Sequence, residues 1–195
     1  FIITFVQESI TIMRLVLFLF LAVFITSCDG PEPRKPIQTK SGSFFKASIE
    51  RSRKLLEAEE NKIQAIIELD SLKHYAHSNS GSWYHYLTVN EDSDYTPKTD
   101  DLVVFNYDIL TLDNDTIYSK EDIGVVTYKV DKQEIFLGLR DAIKMLKVNE
   151  RATFLFPSSI AFGYHGDENK IGSNVPLKST ITILQIEKQE ENTVN

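Results

Sequence analysis

Two adjoining stretches of opposite texture constrain this chain more than any other feature. From about Phe44 to Lys73 there is neither Pro nor Gly, and Glu, Lys, Leu, Ala and Ile dominate. Ile49, Leu56, Ile63 and Ile67 recur at spacings of seven, seven and four, with charged residues between them. That is the repeat of an amphipathic helix with one apolar face. At roughly thirty residues it exceeds the ~11–12 average of globular proteins. Ser41 or Ser43 is placed to cap its start, and Asn79-Ser80-Gly81 breaks the chain after its end. Beside a small domain, such a helix either packs on it or meets a second chain.

From Trp83 onwards the period changes. Segments Trp83–Val89, Leu102–Thr111, Val125–Lys129, Ala152–Phe156 and Ser179–Glu187 are rich in β-branched and aromatic residues with partial alternation, the pattern of strands. Asp92-Ser93-Asp94 and Asp113-Asn114-Asp115 read as turns. One short helix, about Ile135 to Leu146, falls between the third and fourth strands. Mostly antiparallel strands with one inserted helix make an α+β domain.

The chain has 195 residues, enough for one ordinary domain with accessory segments. Its net charge of −7 argues against nucleic acid as a partner, since that binding rests on Lys and Arg neutralising phosphates. Cys28 is the single cysteine, so neither an intrachain disulfide nor a thiolate metal site can be built. His74 and His77 are spaced to share a helix face, but no H-E-x-x-H or similar ligand set accompanies them, and no metal role is expected. Asp113-Asn114-Asp115 is no calcium loop, because Tyr118 stands where such a loop needs Gly.

The N-terminus reads as an address. Leu15 to Phe24 is an uninterrupted apolar run, shorter than the ~20 residues a membrane-spanning helix needs. It follows Met13-Arg14, the start expected for a secretory signal, with residues 1–12 read as upstream sequence. The run ends in Ile25-Thr26-Ser27-Cys28, which resembles the lipobox of bacterial lipoproteins. That resemblance implies lipidation of Cys28 and an anchor of two or more acyl chains, which holds where a single chain does not. An ordinary signal peptide with an incidental Cys is the alternative. Residues 29–43, rich in Pro, Gly and charge, suit an extended tether. The expected organisation is signal and upstream residues 1–27, tether 28–43, helix 44–80, domain 81–188 and tail 189–195.

Five local sequences, in order, resemble the FK506-binding-protein-type (FKBP-type) peptidyl-prolyl cis/trans isomerases. Pro97 through Tyr107 (PKTDDLVVFNY) is similar to the family's turn and strand ending V-V-H-Y. Lys132 through Leu139 (KQEIFLGL) resembles G-x-x-x-V-I-x-G-W, and Lys147 through Ala152 (KVNERA) resembles V-G-x-R-A. Phe156 through Gly163 (FPSSIAFG) resembles I-P-x-x-x-A-Y-G, and Ile171 through Ile183 stands where I-P-P-N-x-x-L-x-F-x-V-x-L closes the sheet. The resemblance spans Trp83 to Glu187 and implies an antiparallel sheet wrapped around one short helix, preceded here by the long amphipathic helix.

The resemblance also implies a site and a chemistry. By position, Tyr107, Phe136 and Phe162 carry isomerisation in an apolar cleft, with Ile135, Leu139 and Ile171 lining it and Val126 and Tyr118 at its sides. Placing Tyr118 there requires a hairpin one residue longer; otherwise Ile117 takes that place. The Phe136 N–H corresponds to the amide that bonds the carbonyl after the proline. No cofactor or metal is implied, and the partners are prolyl-containing protein clients. The sequence departs from the family at Leu139 for Trp, Phe162 for Tyr, Ser179 for an aromatic, Gly172-Ser173 for Pro-Pro, and Ser119 or Tyr118 for Asp. Two readings follow: a tethered isomerase on the periplasmic side of a bacterial envelope, or a non-catalytic chaperone or assembly subunit of the same fold. Lipobox, long helix and divergent domain together resemble the gliding-motility-associated FKBP-type lipoproteins, which implies a folding factor for motility or secretion machinery.

Overall fold

The computed structural model describes Met13 and residues 41–189. Cys28, the apolar run before it and most of the expected tether lie outside the described residues. Helix α1 spans Ser41–Leu69. It therefore begins inside the stretch expected as tether, with Ser41 and Ser43 within it, and ends four residues before Lys73. Asp70 donates its N–H to the carbonyls of Ile66 and Ile67 (3.1 and 3.2 Å), closing the last turn. The chain then enters strand β1 (Ala76–His77). His74 and His77 thus do not share a helix face; His77 pairs with Trp83 in the sheet, their rings 4.6 Å apart.

The remaining strands are β2 (Trp83–Thr88), β3 (Leu102–Tyr107), β4 (Ile109–Thr111), β5 (Thr116–Tyr118), β6 (Val126–Lys129), β7 (Arg151–Phe156) and β8 (Leu177–Glu187). They form one sheet in the order β1-β2-β7-β8-β3-β6, and every pairing is antiparallel. The single strand expected over Leu102–Thr111 is broken at Asp108, whose carboxylate accepts the Thr180 N–H (2.7 Å) in place of a ladder bond. Both halves still pair with β8, the longest strand. The Asp113-Asn114-Asp115 turn joins β4 to β5, with Asn114 at φ 72°. Helix α2 (Lys120–Ile123) is one turn, boxed by Ser119 and Asp122, which bond each other's backbone N–H. Its short span and the two-residue β1 gave too few positions for any periodicity to show.

Helix α3 (Leu137–Met145) lies on one face of the sheet, a residue or two inside its expected ends. Leu139, Ala142, Ile143 and Leu146 follow the i, i+3, i+4, i+7 spacing of a buried stripe, and all are at most 1% exposed. They pack on Val103, Phe105, Tyr128, Ala152, Phe154, Phe156, Ile181 and Ile183. Strand residues alternate faces, so Leu155, between Phe154 and Phe156, points to the other side of the sheet. There it meets Ile63 of α1, with Leu112, Ile66, Ile67, Tyr75 and Trp83 around them. This explains why β7 is buried at nearly every position: α3 covers one face and α1 the other.

Of the two arrangements left open for the long helix, its C-terminal half takes the first. Leu56, Glu59, Ile63, Ile66 and Ile67 face the domain, and Ile63 has no exposed surface. A chain-pairing seam through Ile63 is therefore not available. Residues 44–189 fall within one compact unit. Phe44, Phe45 and Ile49 remain exposed. No helix among the described residues is long and apolar enough to cross a membrane.

Candidate prolyl-binding cleft

Two apolar clusters meet along a seam at the start of α3. One is the core under α3; the other consists of Ile109, Ile171 and Leu177 with half-buried residues around them. Tyr107, Phe136 and Ala161 touch both. The seam forms because Phe136 is still extended (φ −63°, ψ 149°) while Leu137 begins the helix, which turns the Phe136 ring across the helix end. Gly138 lets that end approach closely: a Cβ there would sit 2.6 Å from Phe156 Cδ1. The Phe136 ring stands edge-on to Phe156 (5.5 Å) and tilted against Phe162 (5.1 Å). Such offset and edge-to-face contacts are the favourable ones for aromatic rings.

Tyr107 ends β3 and stacks on Phe105 at 5.5 Å. Burial raises its pKa, so the phenol stays protonated at neutral pH. Ile135 and Val126 border the α3 side. Leu139 and Ile171 are only 1% and 3% exposed. Both were expected to line the cleft; Leu139 belongs to the core under α3, with Tyr107 and Phe136 packed against it, and Ile171 to the second cluster, with Tyr107, Phe136 and Phe162 around it. The Phe136 carbonyl accepts from Arg140 in the first turn, while its N–H meets no acceptor among the described residues. Such an N–H is available to a peptide carbonyl.

The opposite rim is built by the segment after Phe162. Gly166 has φ +70° and a Cβ there would fall 2.2 Å from the Ile171 carbonyl, so only Gly permits the turn. Asp167 closes it: Oδ1 accepts the N–H of Ile171 (2.7 Å) and of Asn169 (2.9 Å), and Oδ2 accepts the Tyr118 hydroxyl. Burial pushes the Asp167 carboxyl up, but these bonds prevail and its pKa lies below the usual value. The same hydrogen bond raises the Tyr118 pKa. Both Ile117 and Tyr118 pack into this cluster, and both link the hairpin to the rim: Tyr118 through its hydroxyl to Asp167, and Ile117 through its carbonyl, which accepts from Lys170 Nζ at 3.2 Å.

Of the expected site residues, Tyr107 and Phe136 thus touch both clusters, Tyr118, Phe162 and Ile171 belong to one, and Val126, Ile135 and Leu139 to the other. Sequence reasoning passed over Asp167, Gly138 with Phe156, and Ser158. The Gly-Asp-x-Asn run at 166–169 is a turn signal that could have pointed to Asp167. Under the cleft, Ser179 is fully buried where the family pattern carries an aromatic, and its hydroxyl has no partner among the described residues.

Residues 93–184 match the family model of FKBP-type peptidyl-prolyl cis-trans isomerases. A curated relative, the "Probable FKBP-type peptidyl-prolyl cis-trans isomerase FkpA" of Neisseria meningitidis serogroup B, is 25% identical over 141 residues. The match covers 71% of this chain and 50% of the relative, so the chain spans about half of that protein's length. The fold is similar to the crystal structure of a peptidyl-prolyl cis-trans isomerase from Pseudomonas syringae pv. tomato. The TM-score is 0.57 at 17% identity, covering 70% of this chain and 96% of that one. Family model, relative and fold point the same way: residues 93–184 of this chain resemble the FKBP-type peptidyl-prolyl cis-trans isomerase family, and the fold is that of such a domain.

Proposed function

We propose that the cleft bounded by Tyr107, Phe136 and Phe162 rotates X-Pro bonds in protein clients. The observation that carries this is the convergence of three half-buried rings beside a backbone N–H without an acceptor among the described residues. Rotation must cross an amide-resonance barrier of ~18–20 kcal/mol. The planar amide is polar, and a water-poor aromatic cleft disfavours it relative to the twisted form, in which resonance is lost. The prolyl ring would lie against Phe136 and Phe162, and the Phe136 N–H would hold the carbonyl after it. No nucleophile, base or metal enters this chemistry. Uncatalysed rotation takes tens to hundreds of seconds, so modest stabilisation of the twisted state already matters to folding.

The test is two-dimensional exchange NMR on a prolyl peptide with the full chain. Wild type should accelerate cis/trans exchange and Phe136→Asp should abolish it, since a carboxylate there would need water that the substrate displaces. Exchange at the uncatalysed rate with wild-type protein would favour the second reading, a non-catalytic chaperone or assembly module. That reading draws on Phe162, which lacks the hydroxyl of the family's Tyr, and on Ser179 in place of an aromatic under the cleft.

The place of action is proposed from the N-terminal sequence. Lipidation at Cys28 would hold the domain on the periplasmic side of a bacterial envelope, serving extracytoplasmic clients such as motility or secretion components. Replacement of Cys28 by Ser should release the protein from washed membranes, and retention would refute the anchor. Pairing of two chains, if it occurs through α1, falls to its exposed N-terminal half around Phe44, Phe45 and Ile49. Sedimentation velocity at tens of micromolar (a concentration range typical for weak dimers) distinguishes a dimer there from a monomer.

A further inference from the structure

We infer that Glu59, on a helix outside the matched segment 93–184, is a positioning residue for the cleft: it fixes the loop that carries Phe162. Glu59 lies on the face of α1 that meets the domain and is 6% exposed. Its Oε2 accepts the Ser158 N–H at 2.8 Å and its Oε1 accepts the Ser158 hydroxyl at 2.7 Å. Ser158 is itself 3% exposed. Both oxygens of one carboxylate thus hold one residue, which restricts its backbone and its side chain together.

Ser158 is the pivot of the loop. It opens a single 3₁₀ turn, Ser158–Ile160, preceded by Pro157, which supplies no side-chain cap to the turn's first N–H. Glu59 supplies that cap from a different element. The Ser158 carbonyl then accepts the N–H groups of Ala161 (3.1 Å) and Gly163 (2.9 Å), the two residues flanking Phe162. Gly163 in turn accepts from Asn174 at 2.7 Å, which ties the far end of the loop. An unbroken path of hydrogen bonds therefore runs from α1 to both sides of the ring that faces Phe136 at 5.1 Å.

Docking of the helix alone does not call for this carboxylate. Ile63, one turn further on, is fully buried against Leu112 and Leu155 and supplies apolar attachment. Burying a carboxylate costs free energy unless its partners are well placed, and an apolar residue of similar volume would dock without that cost. The geometry that Glu59 imposes on Ser158 is what an apolar residue could not reproduce. This inference rests on the cleft reading for its catalytic consequence, while the positioning itself is read without catalysis.

The experiment places 4-fluorophenylalanine at position 162 of the full chain and records its ¹⁹F resonance beside kcat/KM for a prolyl peptide. Glu59→Leu removes both acceptors at similar volume. The resonance should shift or broaden, and kcat/KM should fall about tenfold through misplacement of the Phe162 wall. Glu59→Gln should restore both, because its oxygen accepts the Ser158 N–H while its amide donates to the Ser158 hydroxyl, which can accept. Ser158→Ala, which leaves the backbone bond, should move the resonance less and in the same direction. Ile63→Ala loosens the helix without touching Ser158, and well below its melting temperature should leave the resonance in place. The inference is overturned by an unmoved resonance in Glu59→Leu, by a loss that Glu59→Gln does not restore, or by the same shift in Ile63→Ala. Should the resonances respond as stated in a wild-type protein without isomerase activity, positioning stands and the catalytic reading falls.

Discussion

Replacing Gly138 by Ala sets two effects of opposite sign against each other. Gly138 is the second residue of α3, and Ala in a helix interior is favoured over Gly by about 1 kcal/mol, less within the first turn. Against this, the new methyl would stand 2.6 and 2.9 Å from two carbons of the Phe156 ring and 3.1 Å from the Ile160 carbonyl. The ring has little room to retreat, since Phe156 is fully buried and stacks on Phe154 at 5.7 Å with the planes 4° apart. Overpacking of a filled core typically costs about 1–3 kcal/mol. The net expectation is a loss of roughly 1–2 kcal/mol after the propensity gain. For a chain of this size that lowers Tm by about 2–8 °C. Because Phe156 meets Phe136 edge-on, the displaced ring should also disturb the cleft, and activity should fall at temperatures where the protein is fully folded. Thermal and urea unfolding followed by far-UV circular dichroism give the stability, and the prolyl-peptide assay gives the second effect. A variant as stable as wild type, or more so, would show that α3 and β7 can part without strain and refute the close-packing argument.

Three further outcomes are expected. Ile63→Ala should destabilise the whole domain by about 2–5 kcal/mol in one cooperative transition, as cavity formation in a core does; a change under ~0.5 kcal/mol would mark α1 as a surface appendage. Phe162→Tyr should preserve the fold and raise kcat/KM, about tenfold if the added hydroxyl gains a hydrogen bond worth ~1.4 kcal/mol at the substrate, and an unchanged or lowered value would deny a carbonyl within its reach. Asp101, 2% exposed, accepts from the Tyr95 hydroxyl (2.7 Å), the Lys98 N–H (2.8 Å) and the Gln189 N–H (2.9 Å). Burial raises its pKa but the three bonds outweigh it, and the carboxyl titrates below its ordinary value. A depressed folded-state pKa contributes stability above the unfolded value of about 3.9, lost as pH falls through the folded pKa. Asp101→Asn should therefore flatten the acid limb of Tm against pH below ~4; an acid slope equal to that of wild type would assign the limb to other carboxylates.

The sequence by itself determined the parts whose cause is local. Leu139, Ala142, Ile143 and Leu146 repeat at helical spacing, and Val103 with Phe105, and Ile181 with Ile183, alternate at strand spacing. The sequence texture therefore placed α3 and strands β6, β7 and β8 within two residues of their ends, while β3 and β4 were expected as one strand. The aromatic positions Tyr107, Phe136 and Phe162 were legible through the family resemblance of the segments that contain them, and the structure brings them together at one seam. Only the tertiary structure decided what the long helix does. Its apolar stripe states that a partner exists but not which surface supplies it, and the two-sided burial of β7 is what makes that surface its own domain. The break of β3 from β4 at Asp108 depends on Thr180, seventy-two positions away, and the Tyr118–Asp167 link spans forty-nine. Glu59 meets Ser158 across ninety-nine. A charged residue among many on a helix carries no mark of such a partner, because its role comes from a buried donor that only the folded chain brings within hydrogen-bonding distance.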